Sequence, residues 1–213
     1  WSKGKSLLLL GVLLVVMDQV IKILVKTHMT LGESIPVLGN WFQLLFVENK
    51  GMAFGMAFGG AAGKYLLTFF RLVLFCVLCW WISRLLKRGT GAGDTKDPVP
   101  TGVLVGLTLI TAGAFGNIID CLFYGILFGP STAVDVATLL PATGGYASFG
   151  TGRVVDMLYF PIIHNAAGQV VFFSPVFNIA DSAITIAVFA LILFFRKDLD
   201  ASLNTSDTKP TTK

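Results

Sequence analysis

The chain has 213 residues, of which 54% are hydrophobic and only 13% charged, with a mean hydropathy of +0.77. A soluble domain of this length would carry roughly twice that charge, so the composition excludes a soluble globular protein and points to a compact integral membrane protein. The net charge of +4 implies no nucleic-acid partner, because the basic residues are scattered or flank apolar stretches, as topology signals do.

Four apolar segments, residues 6–26, 64–86, 102–124 and 175–195, are each long enough to cross a bilayer, which takes about 20 helical residues. The N-terminal run WSKGKSLLLLGVLLVV has the basic start of a signal peptide. It lacks a small-residue cleavage site and continues into polar helix positions, so a retained first span is expected. After it, residues 34–47 (SIPVLGNWFQLLFV) read as short strands. Residues 49–60 (NKGMAFGMAFGG) read as a tight turn or a loop on the membrane surface. Residues 87–98 (KRGTGAGDTKDP) form a flexible polar loop. Residues 130–152 are rich in Gly, Ser, Thr and Ala without periodicity, and a lid or adaptable binding element is expected there. The tail, 198–213, is low in hydrophobic residues and is expected to be disordered.

Lys3 and Lys5, then Arg84, Lys87, Arg88 and Lys96, then Arg196 and Lys197 all fall on one side of this arrangement. The positive-inside rule makes that side cytoplasmic, with both termini inside and residues 27–63 and 125–174 outside. The expected architecture is one domain over 1–197: an all-α membrane protein of four transmembrane helices with a small β element and an inserted outer loop before the fourth span. No inverted repeat of the transporter kind is visible.

Cys76 and Cys79 form a CxxC inside an apolar helix without a second pair, which suits packing better than metal or redox chemistry. His28 and His164 match no metal spacing. No metal or organic cofactor is expected.

Measured at about 1.5 Å per residue, the polar groups of all four spans fall at one depth, in the outer leaflet. Asp18 and Lys22 are spaced i,i+4, suiting a structural ion pair or a substrate-orienting one. Arg71 lies about two turns inside the second span, as a counter-ion or snorkelling outward to lipid phosphate. Asn117 and Asp120 share a face near Gly113 and Gly116, as site residues or as packing glue. Asn178 and Asp181 open the last span in FNIADSAI. Asp181 could serve as a helix cap. That leaves Asp156, in the apolar frame GRVVDMLYFP, either as a surface strand residue or as the partner of Asp181. Two carboxyls a few ångströms apart share a proton. One then activates water while the other polarises a carbonyl, which is aspartic peptidase chemistry. No HExxH or GxSxG motif offers an alternative.

Taken together and in order, DQVIK, NKGMAFG, GNIID, VVDM and FNIADSAI resemble the bacterial lipoprotein signal peptidases (signal peptidase II). The resemblance implies a four-helix aspartic peptidase of the bacterial plasma (inner) membrane, with its active site at the outer face beside a small β-cradle. Its substrates would be prolipoproteins carrying a diacylglyceryl-modified Cys, cut just before that Cys, with membrane lipid as the other partner and a monomer as the working unit. It makes Asp156 and Asp181 the catalytic dyad. Asn117, Asp120, Asn178 and Ala180 would shape the site. Asn49, Gly51, Ala53 and Phe54 would lie beside the substrate, and Asp18 and Lys22 would hold the site together. Two departures stand out. The family's Arg after GNxxD is Cys121 here, so a cationic contact is either missing or supplied from elsewhere, with Arg71 and Arg153 as candidates. An insertion also separates Asp120 from Asp156 and contains a rival acid, Asp135, which the VVDM–YFP context disfavours. The competing readings are an ion-coupled carrier, for which intramembrane Asp, Lys and Arg are also typical, and a non-enzymatic assembly subunit.

Overall fold

A computed structural model describes residues 2–50, 60–88, 98–164, 170–172 and 175–203. Helix α1 (Lys3–His28) starts at Ser2, whose hydroxyl accepts from the Lys5 N–H, and ends with Lys26 and His28 in its last turn, where cations suit the helix dipole. Strands β1 (Ser34–Leu38) and β2 (Phe42–Asn49) follow as an antiparallel hairpin. Then come α2 (Gly60–Lys87), α3 (Thr101–Ile119), a π-helical turn (Asp120–Tyr124) and the short α4 (Gly125–Leu127). Strands β3 (Val154–Tyr159), β4 (Ile163–His164), β5 (Val170–Phe172) and β6 (Val176–Phe177) precede α5 (Ile179–Phe194) and α6 (Arg196–Leu203).

The molecule is thus mostly helical with a small antiparallel sheet, ordered β1-β2-β3-β6, and a separate β4–β5 pair. Among the described residues, three helices are long and apolar enough to cross a membrane: Lys3–His28, Ala62–Lys87 and Thr101–Leu127. A fourth span exists if α5 and α6, bent by 92° at their junction, count as one. Helix α5 starts later than the expected fourth span because Phe177 and Val176 pair with Leu158 and Tyr159 of β3. The tail expected to be disordered from 198 is instead helical to Leu203.

Helix α3 is the hub, packed against α1, α2 and α5. Small residues let α5 come close: a Cβ on Gly113 would stand 2.6 Å from the Ala180 carbonyl oxygen, and one on Gly106 2.8 Å from Leu191. Two apolar clusters cap the bundle. One joins Val25, Phe46, Tyr124, Phe128, Val155 and Met157, and the other joins Leu7, Leu85, Val103, Leu107 and Leu191. The buried polar side chains Asp18, Lys22, Asp120 and Asn178 lie between them along the chain.

The inserted segment is not a free lid. The carbonyls at a helix end lack intrahelical donors, and the insert supplies them: Gly152 N–H to Cys121 (2.8 Å), Gly150 to Leu122 (3.0 Å), Ala147 to Gly125 (2.9 Å), Tyr146 to Phe128 (2.9 Å) and Leu140 to Leu127 (2.7 Å). It also reaches α2, where Lys64 and Thr68 donate to the carbonyls of Thr151 and Gly150. The insert is therefore a brace across the ends of two helices.

Candidate active site

Strand β3 and the start of α5 bring Asp156 and Asp181 to one place. Asp156 pairs across the sheet with Val47, and Asn49, opposite Val154, shares its face of the sheet. Asp181 sits in the first turn of α5, where Asn178 is the N-cap and its Oδ1 accepts from the Asp181 N–H at 2.9 Å. The cap is therefore Asn178 and not Asp181, whose side chain is turned to other partners.

Two amides join the carboxyls. Asn178 Nδ2 donates to Asp156 Oδ1 at 2.8 Å, and Asn117 Nδ2 donates to Asp181 Oδ1 at 2.7 Å. The amides are tied to each other, Asn178 Nδ2 lying 3.0 Å from Asn117 Oδ1. Asn178 is fully buried and Asp156 is 3% exposed, whereas Asp181 is half-buried. Asn49 also donates to Asp156. Burial, and next the Asp181 charge, push the Asp156 carboxyl up to about 7, against the hydrogen bonds from Asn49 and Asn178 and the Lys22 charge.

Beneath this layer lies a buried ion cluster. Lys22 Nζ reaches Asp18 Oδ2 at 2.8 Å, Asp120 Oδ2 at 2.9 Å and Asn117 Oδ1 at 2.9 Å. Each carboxylate also takes a backbone donor from a second element: Ala180 N–H to Asp18 Oδ1 (3.0 Å) and Val155 N–H to Asp120 Oδ2 (3.2 Å). The cluster thus grips the residue before each candidate acid, Val155 before Asp156 and Ala180 before Asp181. A Cβ on Gly116 would sit 2.7 Å from Asp18 Oδ2, so only glycine leaves room for that carboxylate.

Seven residues singled out from sequence therefore converge: Asp18, Lys22, Asn117, Asp120, Asn178, Asp156 and Asp181. Asn49 joins them through Asp156. Gly51, Ala53 and Phe54 lie outside the described residues. Asp135 does not join: it is exposed and bonded within its own turn to Thr132. Arg71 is half-buried, with Nη1 3.0 Å from Cys121 Sγ, next to Asp120 in sequence. Arg153 instead pairs with Glu48 at 2.8 Å.

Sequence reasoning missed Gln19. Its Nε2 donates to Asp120 Oδ1 (2.9 Å) and the Gly116 carbonyl (3.1 Å), and its Oε1 accepts from Tyr124 (3.1 Å). An amide beside Asp18 in an apolar span was the available signal. The Lys26–Glu48 pair, spanning helix and strand, carried no local signal. Chemically, two carboxyls held by a shared amide frame, one buried and raised, can hold a single proton between them.

The family model described as Signal peptidase (SPase) II matches residues 10–196. The chain is 41% identical to a lipoprotein signal peptidase of Porphyromonas gingivalis over 98% of its own length and 90% of that protein. It is 34% identical to one of Amoebophilus asiaticus, over 86% and 75%. A solved bacterial membrane enzyme, determined by the in meso method at 2.3 Å resolution, superposes with a TM-score of 0.59 at 25% identity, covering 96% of this chain and 95% of that one. With a family match over most of its length and relatives of this identity, the chain belongs to the signal peptidase II family, aspartic peptidases of the bacterial plasma membrane, and is a hydrolase.

Proposed function

We propose that this protein removes the signal peptide from diacylglyceryl-modified prolipoproteins, cutting before the lipidated Cys at the outer face of the plasma membrane, with Asp156 and Asp181 activating water. The observation that carries this reading is the Asn117–Asn178 amide frame, which links the two carboxyls across α3, β3 and α5.

Asp156, the more buried acid, holds the shared proton, and Asp181 is the general base. Asp181 takes a proton from water as its oxygen attacks the scissile carbonyl carbon, while Asp156 gives its proton to the carbonyl oxygen, forming a gem-diol. Asp181 then protonates the departing Cys nitrogen and Asp156 recovers a proton from a gem-diol hydroxyl. The C–N bond breaks, and the dyad returns to its starting state. Excluding Asp135 from the machinery follows from its exposure and its self-contained turn.

The topology of this reading puts both termini in the cytoplasm, with α5–α6 as a fourth span that turns along the inner surface where Arg196 and Lys197 lie. The sheet and insert then rest at the outer surface, and the substrate approaches laterally. The protein works as a monomer on a lipid-borne substrate.

The test is a pH profile of kcat/KM on a diacylglyceryl-modified prolipoprotein. Because Asp156 must be protonated and burial pushes its carboxyl up to about 7, cleavage should fall tenfold per unit well above that pH. A rate still rising between pH 7 and 9 would count against the dyad.

Arg71 supplies the cation that faces substrate beside Cys121. Arg71→Met should raise KM for the lipidated substrate about 10- to 100-fold, the worth of one charge-assisted hydrogen bond, with a smaller change in kcat. An unchanged KM would return Arg71 to a lipid-facing role.

A further inference from the structure

A second buried charge cluster lies on the opposite face of β3 from Asp156. Lys26, at the end of α1, is fully buried, and the side chain of Glu48 is 3% exposed. Lys26 Nζ is bonded to Glu48 Oε1 and, at 2.9 Å, to Ser131 Oγ of the insert. Ser131 Oγ donates to Glu48 Oε1 at 3.0 Å. The other Glu48 oxygen takes Arg153 Nη1 at 2.8 Å. Three rings surround the ammonium, with centroids at 5.9 Å (Phe46), 5.5 Å (Phe128) and 4.9 Å (Tyr146). Tyr146, also of the insert, accepts the Arg153 backbone N–H at 2.7 Å, and its ring lies 5.3 Å from that guanidinium.

The location of this cluster is informative. Glu48 is joined by one peptide bond to Asn49, which donates to Asp156. Arg153 is joined by one to Val154, the cross-strand partner of Asn49. The β2–β3 ladder is short and already irregular between Leu44 and Val47. A one-residue slip would turn Asp156 to the other face of the sheet. Buried ion pairs add little net stability, but they can specify register.

We propose that Glu48, clamped between Lys26 and Arg153, is a positioning residue for hydrolysis: through it the insert fixes β2 against β3 and holds Asn49 on Asp156. This rests on the dyad reading above. Besides Asn49 and Asn178, the charged groups that bear on Asp156 are Asp181 from α5 and Lys22 from α1, with Asp120 reaching the adjacent Val155 N–H. None of them belongs to the Glu48 cluster.

The test uses the full chain, purified and cleaving a diacylglyceryl-modified prolipoprotein. Glu48→Gln keeps the shape and removes the charge. It should lower kcat by about 10²-fold, as small misplacements near reacting groups do, with KM within about threefold. The Asp156 limb of the pH profile should move to higher pH, because Asn49 no longer favours the carboxylate. Glu48→Asp should recover part of kcat. Tyr146→Phe removes only the strap to Arg153, keeps every charge, and should lower kcat by about tenfold; it decides the matter if Glu48→Gln does not accumulate. A folded Glu48→Gln, or failing that Tyr146→Phe, with wild-type kcat and pH limb overturns the inference and leaves the dyad standing. An inert wild type overturns both.

Discussion

Lys22→Met should leave Asp18 and Asp120 as neighbouring buried carboxylates without their cation. Both are at most 1% exposed, so water cannot replace the ammonium. Breaking a buried ion cluster by removing one partner costs about 3–5 kcal/mol, a drop of roughly 6–20 °C in unfolding temperature for a chain of this size. The damage reaches the site as well, because Lys22 also holds Asn117 Oδ1 and so the amide frame. Thermal unfolding of purified protein in detergent measures the first effect. Adding Asp120→Asn to Lys22→Met should recover part of the loss, since one buried charge is then removed. A Lys22→Met protein melting within a degree or two of wild type would mean that the cluster is already neutral.

Asp156→Asn and Asp181→Asn should each lower kcat by about 10²–10⁴-fold, the range a positioned acid or base contributes. The two should differ in stability. The folded-state pKa of Asp156 lies above its ordinary value of about 3.9. The unfolded chain therefore ionises first, and the folded state loses stability as pH rises from about 4 to 7. Asp156→Asn removes that penalty, so at pH 8 it should be inactive yet about 1–3 kcal/mol more stable, with no gain below pH 4. Activity and stability measured on one sample would show the opposite signs. An Asp156→Asn protein less stable than wild type at pH 8 would mean that its carboxylate is favoured rather than strained.

Much of this was legible in the chain itself. Spans one to three follow from unbroken apolar runs, and the 34–47 hairpin from its aromatic and aliphatic strands. The convergence of Asp18, Lys22, Asn117, Asp120, Asn178 and Asp181 at one depth of the bundle follows from counting residues along helices. The start of α5 was misjudged because one continuous apolar run does not distinguish strand β6 from the helix that follows it. The break at Phe195 falls where the apolar run gives way to Arg196 and Lys197, although neither Gly nor Pro marks it. The insert read as a lid because its order comes from donating to carbonyls at the ends of distant helices, a constraint without sequence periodicity. Arg71 was ambiguous for a related reason: its direction depends on Cys121, fifty residues away in the chain and on another element.

The most direct measurement is cleavage of a diacylglyceryl-modified prolipoprotein by the purified protein, with product masses determined, for wild type, Asp156→Asn, Asp181→Asn and Asp135→Asn in parallel. Wild type and Asp135→Asn should release a product beginning at the lipidated Cys, and the other two, though folded, should release essentially none. Cleavage by a folded Asp156→Asn or Asp181→Asn protein at the wild-type rate would contradict the dyad.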